Sequence, residues 1–226
     1  MCGRFALKET PKQLAEYFHL AGDLSFTPAF NIAPSLPICC ITADMDGVRH
    51  LRMMRWGLIP AWAKDASIGN KLANARGETV AEKPSFRSAF KSRRCIIPAS
   101  GFYEWKAEGS YKQPWYVSLK TGNPMAFAGL WESWHSKDDE VIVSCCIITT
   151  DANPLMQSIH DRMPVILNPD QWVSWLSPKE RNPNNLIPLL CPHDSASMQA
   201  WQVTRELNRV GLRNDAGLLD PLPENA

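Results

Sequence analysis

A cysteine stands directly after Met1, in Met1-Cys2-Gly3-Arg4-Phe5. Removal of Met1 would leave Cys2 with two nucleophiles on adjacent carbons, an α-amine and a thiol. Their ordinary pKa values are about 8 and about 8.5, so part of each is reactive near neutral pH. Such a 1,2-aminothiol condenses with aldehydes: the amine forms a Schiff base, then the thiol closes a five-membered thiazolidine. Position alone also fits a small residue that merely permits methionine removal.

Other residues could share that chemistry. His160 sits in His160-Asp161-Arg162, just before the apolar run Met163 to Leu167. Histidine is the usual proton carrier near neutral pH, and a satisfied structural histidine is the other reading. Glu104 lies between Tyr103 and Trp105 in a short strand-like run. A period of two turns it to the opposite face from both. If the sheet closes on itself, a carboxylate facing its interior is costly without a partner or a task. A solvent-facing edge is the alternative. Asn74 stands in a segment whose own turn chemistry could account for it. Arg4, Arg76 and Arg162 each lie two residues from Cys2, Asn74 and His160 respectively. A guanidinium fork can grip two phosphate oxygens, or make a surface ion pair.

The elements that must position these residues come from a chain of 226 residues, long enough for a real core. Its hydrophobic share of 45% and charged share of 21% are those of an ordinary globular protein. A net charge of +1 gives no global basic field, so a polyanion would have to bind through local contacts. Seven cysteines are an odd number, and no CxxC pair occurs, which speaks against a zinc ribbon or finger. The doublets Cys39-Cys40 and Cys145-Cys146 fall in apolar, strand-like runs and read as buried, reduced thiols. Cys191 and His193 lie close together, but two potential ligands without a second pair do not make a metal site. No leader pattern and no long apolar run are present, so secretion and membrane spanning are not expected, and a reducing cytosol fits.

Pro11 to Leu20 reads as a short helix capped by Thr10, with Leu14 and Phe18 on its apolar side. Phe30 to Ser35, with Pro34 inside it and Pro37 beyond, reads as a rigid loop. Ile38 to Thr42 and His50 to Trp56 read as strands joined across Asp46-Gly47. Trp56 to Trp62 is a stiff loop, and Asn74 to Thr79 shows no apolar period. Phe86 to Lys91 predicts a helical turn or two. Strands are expected at Cys95 to Ile97, Phe102 to Trp105, Pro114 to Leu119 and Met125 to Trp131. Val141 to Thr150 is the strongest strand, nearly continuously apolar, of the kind that runs through a sheet centre. A helix should start at Asn168-Pro169-Asp170 and reach Leu176; Asn184 to Leu190, broken by Pro188, supplies at most a turn. Trp201 to Thr204 reads as a last strand, and 215–226 as a loosely held tail. Strands dominate and no βαβ alternation appears. The expected fold is therefore α+β, one domain over residues 1–226, with a curved, barrel-like, mainly antiparallel sheet flanked by short helices.

Six blocks give these residues a common context. They are Met-Cys-Gly-Arg-Phe at 1–5, Asn-Ile-Ala-Pro at 31–34, Arg-Trp-Gly-Leu-Ile-Pro at 55–60, Asn-Ala-Arg-Gly-Glu-Thr at 74–79, Arg-Cys-Ile-Ile-Pro-Ala-Ser-Gly-Phe-Tyr-Glu-Trp at 94–105 and Ile-His-Asp-Arg-Met-Pro at 159–164. In this order they resemble the SOS-response-associated peptidase family, whose defining unit is the SRAP domain. The resemblance implies a sensor of abasic sites in single-stranded DNA. Its nucleophile would be Cys2, freed by loss of Met1, with Asn74, Glu104 and His160 completing the active site. A thiazolidine cross-link to the ring-opened sugar would shield the lesion. Self-processing of Met1 and a lyase side reaction are implied as well.

On this reading His160 moves protons during ring opening and dehydration, Glu104 holds the amine and takes its proton, and Asn74 orients the terminus or the sugar oxygen. DNA contacts implied by the resemblance fall on Arg4, Asn31, Pro34, Trp62, Arg76 and Arg162. The arginines would take phosphates; Trp62 and Pro34 would offer flat apolar surfaces to unstacked bases. Two departures touch that path: Ala63 follows Trp62 where a bacterial relative has a second tryptophan, and Pro84, beside Lys83, replaces an arginine. The chemistry needs no metal or organic cofactor. A cytoplasmic monomer is expected, nucleoid-associated when bound to DNA. Two other functions stay open: a cysteine-nucleophile peptidase, and a noncatalytic single-strand binder.

Overall fold

The near-continuous apolar run at 141–150 becomes the hub of a closed barrel. In the computed structural model, which describes residues 2–23, 25–209 and 213–223, the strands are β1 (Phe5–Leu7), β2 (Leu20–Ala21), β3 (Ala29–Ile32), β4 (Pro37–Ala43), β5 (Arg49–Trp56), β6 (Asn74–Arg76), β7 (Arg94–Ala99), β8 (Gly101–Glu108), β9 (Tyr111–Leu119), β10 (Met125–His135), β11 (Val141–Asp151), β12 (Arg162–Pro164) and β13 (Met198–Gln202). The order β11-β10-β7-β4-β5 closes on itself because β5 also pairs with β11. That last pairing is parallel, through Ser144↔Arg55 and Cys145↔Trp56; the other four are antiparallel. A second sheet, β13-β9-β8-β1-β3, is antiparallel throughout. The α+β class and barrel-like core expected from sequence are therefore found, divided between two sheets.

Residues 144–150 of β11 are all buried, since this strand has barrel interior on one side and further elements on the other. Cys39, Cys40, Cys95, Cys145 and Cys146 are buried free thiols in these strands; Cys191 is exposed. The hairpin β4–β5 turns at Gly47, whose φ of +83° suits glycine. Helix α1 (Pro11–Phe18) begins at Thr10, which accepts the Gln13 backbone N–H, and stops at His19 in the left-handed region. The other helices are short: α2 (Arg87–Ser92), α3 (Pro154–Gln157), α4 (Trp172–Leu176) and α5 (Pro183–Leu186).

Four sequence expectations need correction. Residues 29–32, read in part as loop, form β3; pairing of Ile32 with Phe5 and Ala29 with Leu7 outweighs the nearby prolines. Residues 74–76, without visible period, form β6, because their backbone finds partners on β11 at 147–149. The last strand ends at Gln202 and starts earlier, at Met198, opposite Leu119. Residues 216–219 form a 3-10 turn that buries Leu218, and the Trp201 indole donates to the Leu219 carbonyl at 2.8 Å. A single leucine in a polar segment carries too little signal to announce that docking. Residues 224–226, and Met1 with its expected removal, lie outside the described residues.

Candidate active site

Cys2 owes its position to Phe5. That ring packs edge-on against Trp56 at 5.2 Å and Phe127 at 6.1 Å, so β1 is anchored in the main core. The same strand pairs with β8 through Phe5↔Phe102 and Ala6↔Gly101. A Cβ on Gly101 would lie 2.4 Å from the Val117 carbonyl oxygen, so only glycine lets β8 and β9 approach this closely. The Tyr103 N–H donates to the Arg4 carbonyl at 2.9 Å. Two positions before Arg4, Cys2 is fully buried. Burial, and after it the nearby Glu104 carboxylate, push the Cys2 thiol well above the usual thiol range.

Asn74 reaches Cys2 from another direction. It opens β6, which lies parallel on β11 with Asn74 beside Ile147. The loop that delivers it is stapled by Gly57 N–H to Cys145 carbonyl at 2.8 Å, Leu58 N–H to Leu72 carbonyl at 3.1 Å, and Trp56 indole N–H to Ala73 carbonyl at 2.8 Å. Its side-chain amide then donates to the Cys2 carbonyl at 2.9 Å. The Asn74 Oδ1 is buried and has no partner among the described residues, which leaves an acceptor beside Cys2.

Glu104 is 2% exposed, on the face of β8 opposite Tyr103 and Trp105. Burial holds its carboxyl above the usual carboxylate range, and the neighbouring His160 works against that shift. His160 is half-buried at the turn after α3, its N–H donating to the Met156 carbonyl at 2.8 Å. Its Nδ1 lies 3.0 Å from the Arg162 backbone N and 2.8 Å from Asp161 Oδ1. One nitrogen cannot accept from the first and donate to the second at once. The backbone N–H is fixed while Asp161 is 85% exposed, so the neutral ring keeps the Arg162 bond and carries its proton on Nε2.

Glu104 and His160 open onto a cleft of 460 Å³ that Arg4, Trp105, Lys112, Leu207 and Asn208 also line. Cys2, Asn74, Glu104 and His160, four residues spread over the chain, are thus brought to one place. The residues expected at a DNA path are distributed differently. Arg4 is buried, bonds the Asn31 side chain and stacks over Trp105 at 5.9 Å. Asn31 donates in turn to the Arg213 carbonyl at 2.9 Å. Pro34 is half-buried in the turn after β3. Trp62 is 59% exposed, its indole N–H 3.3 Å from the Pro84 carbonyl. Arg76 is exposed on β6. Arg162 is engaged: Glu78 takes Nη1 at 2.6 Å and Nη2 at 3.0 Å, Asp151 takes Nη1 at 2.5 Å, and the Thr149 carbonyl takes Nη2 at 2.9 Å. A phosphate there would have to share or displace carboxylates.

Sequence reasoning missed Lys112, Leu207 and Asn208. Asn208 accepts the Trp105 indole N–H at 2.5 Å and donates to the Lys112 carbonyl at 3.2 Å. Only tertiary docking brings it there, and no local pattern announces it. Among the described residues no group of three or more His, Cys, Asp or Glu could hold a metal ion, and no helix is long and apolar enough to cross a membrane.

Comparison with known proteins gives one consistent family. The abasic site processing protein YoqW of Bacillus subtilis is 47% identical over 212 residues, covering 92% of this chain and 94% of its own. The abasic site processing protein YedK of Escherichia coli is 32% identical over 184 residues, covering 78% and 79%. A crystal structure of a Bacteroides thetaiotaomicron protein superimposes with a TM-score of 0.89 at 28% identity, over 98% of this chain and all of the other. The family model described as SOS response associated peptidase (SRAP) matches residues 1–210. The chain belongs to the SOS response associated peptidase family.

Proposed function

We propose that this protein processes abasic sites in single-stranded DNA by capturing the ring-opened sugar as a thiazolidine on Cys2. The observation that carries this reading is that the Asn74 amide and the buried Glu104 carboxyl meet at Cys2, with the His160 imidazole beside Glu104. The names of the relatives support the substrate. The reading requires hydrolysis of the Met1–Cys2 peptide bond, which frees the amine; this self-processing belongs to the proposal.

The raised thiol pKa sets an order of events. A thiol kept protonated is a poor nucleophile, so the amine attacks the aldehyde carbon first. The His160 imidazolium donates a proton to the carbonyl oxygen, giving an N-protonated carbinolamine; a proton from that nitrogen then leaves with the hydroxyl as water, giving an iminium. The iminium charge next to the thiol now favours its ionisation. The thiol proton passes to Glu104, sulfur adds to the iminium carbon, and the five-membered ring closes. One aldehyde, one amine and one thiol yield one thiazolidine and one water. Because amine and thiol belong to one residue, ring closure is intramolecular. If the iminium instead loses a proton from the adjacent sugar carbon, β-elimination of the 3′ phosphate follows, which is the lyase branch. Location in the cytoplasm, with the DNA when bound, and action as a monomer belong to the same proposal.

Intact mass of the purified protein establishes whether Met1 is gone. Incubation with an abasic oligonucleotide and a denaturing gel should then give a resistant adduct that Cys2→Ala abolishes. Mature protein that binds the strand but leaves no adduct would instead indicate a noncovalent single-strand binder. Turnover of peptides by Cys2 without an adduct would indicate a hydrolase.

A further inference from the structure

The DNA path expected from sequence leans on three arginines, yet two are committed inside the protein. Arg4 is buried against Asn31 and Trp105, and Arg162 is held by Glu78 and Asp151. The charged groups lining the cleft itself are Arg4, Glu104, His160 and Lys112. Glu104, when ionised, repels phosphate, and a net charge of +1 supplies no background attraction. Lys112 is the exposed cation of this set, and it has no ion pair among the described residues.

Its backbone is also fixed where the cleft needs it. Lys112 pairs with Ala107 across the β8–β9 hairpin, and its carbonyl receives the Asn208 amide that also holds Trp105. We propose that Lys112 receives a backbone phosphate of the lesion-bearing strand and so lets the cleft favour abasic DNA over phosphate-free aldehydes. This rests on the reading of Cys2, Glu104 and His160 as the reacting centre. The phosphodiester beside an abasic sugar is the nearest anion to its aldehyde. An ammonium is a compact point charge suited to such a contact.

Lys112→Gln tests this in the mature full-length protein. Two substrates are compared at sub-saturating concentration: an abasic oligonucleotide, followed on a denaturing gel, and 2-deoxyribose, followed by intact mass. The variant should cross-link the oligonucleotide several-fold more slowly and react with 2-deoxyribose at the wild-type rate. Noncovalent affinity for a lesion-free strand should show a slope against log salt shallower by about 0.7. Lys12→Gln, which removes the same charge from helix α1, should change neither. An unchanged oligonucleotide rate, or an equal loss on both substrates, would overturn the proposal. Wild-type protein that forms no adduct would remove the reacting centre instead, and the salt slope would still judge Lys112.

Discussion

Asn74 and Cys2 are 72 positions apart, and a 2.9 Å hydrogen bond joins the amide of one to the carbonyl of the other. This bond fixes the backbone of Cys2, so on the proposed reading it sets the direction from which amine and thiol meet an aldehyde. Asn74→Ala removes the donor and the nearby acceptor together. The expected result is cross-linking slowed by roughly 10- to 100-fold, the scale of a small misplacement of reacting groups. Thermal stability should fall by only a few degrees, in line with about 1 kcal/mol for one hydrogen bond. Single-turnover rates at saturating oligonucleotide measure the first, and a melting curve the second. A rate within twofold of wild type would remove Asn74 from the mechanism.

Glu104 gives a prediction with a definite sign. Burial raises its pKa in the folded protein above the unfolded value of about 4.3. The folded state therefore binds this proton more tightly than the unfolded chain. Stability from this group is greatest below the unfolded pKa and is lost as pH rises from there through the raised folded value. Glu104→Gln cannot ionise, so its stability should fall less between pH 4 and pH 7. Urea midpoints at both pH values test this. The variant should also lose cross-linking while staying folded. Identical pH dependence in the two proteins would show that the carboxyl is not destabilised by burial.

The sequence disclosed chemistry more readily than geometry. Cys2 showed its aminothiol chemistry by following Met1, and Glu104 and His160 interrupt or border apolar runs, where a polar residue needs a reason; Asn74 was marked only by the family resemblance. Strand β11 announced itself because a strand buried on both faces loses alternation and keeps only apolar residues. Barrel closure left no such trace: the β5–β11 pairing rests on two backbone registers, which any side chains would permit. β6 is too short to show a period. The commitment of Arg162 to Glu78 was equally hidden, since 84 positions separate the pair.

Trp62 offers a separate handle on strand binding. It is 59% exposed, and the hydrogen bond of its indole N–H to the Pro84 carbonyl uses the ring edge and leaves the ring faces open. Trp62→Ala should weaken lesion-free single-strand binding by about 1–3 kcal/mol, the range for one stacked base. Melting temperature should be nearly unchanged, because little of the ring is packed. Fluorescence titration with an oligonucleotide longer than the cleft reads the affinity. Loss of stability without loss of affinity would make the ring structural.

Arg162 carries the last prediction, because its guanidinium and its backbone do different work. The backbone N–H fixes His160, while the side chain holds Glu78 and Asp151 together. Pairing with Arg162 is the main cause lowering the Glu78 pKa. The stabilisation from this pair is therefore present above the unfolded glutamate pKa, about 4.3, and is lost as pH falls through the lowered folded value. Arg162→Gln leaves two carboxylates facing each other without their cation. It should lower stability at pH 7 by about 1 kcal/mol, because solvent screens these largely exposed carboxylates, with a smaller difference at low pH as Glu78 takes up its proton. Glu78→Gln should show a milder loss with the same pH dependence. Because the two act through one contact, the double variant should lose less than the sum of the singles. Full additivity would mean that the pair does not couple. A loss of cross-linking in Arg162→Gln that is matched by Glu78→Gln would then trace to the support of His160, since Glu78 has no attraction for phosphate.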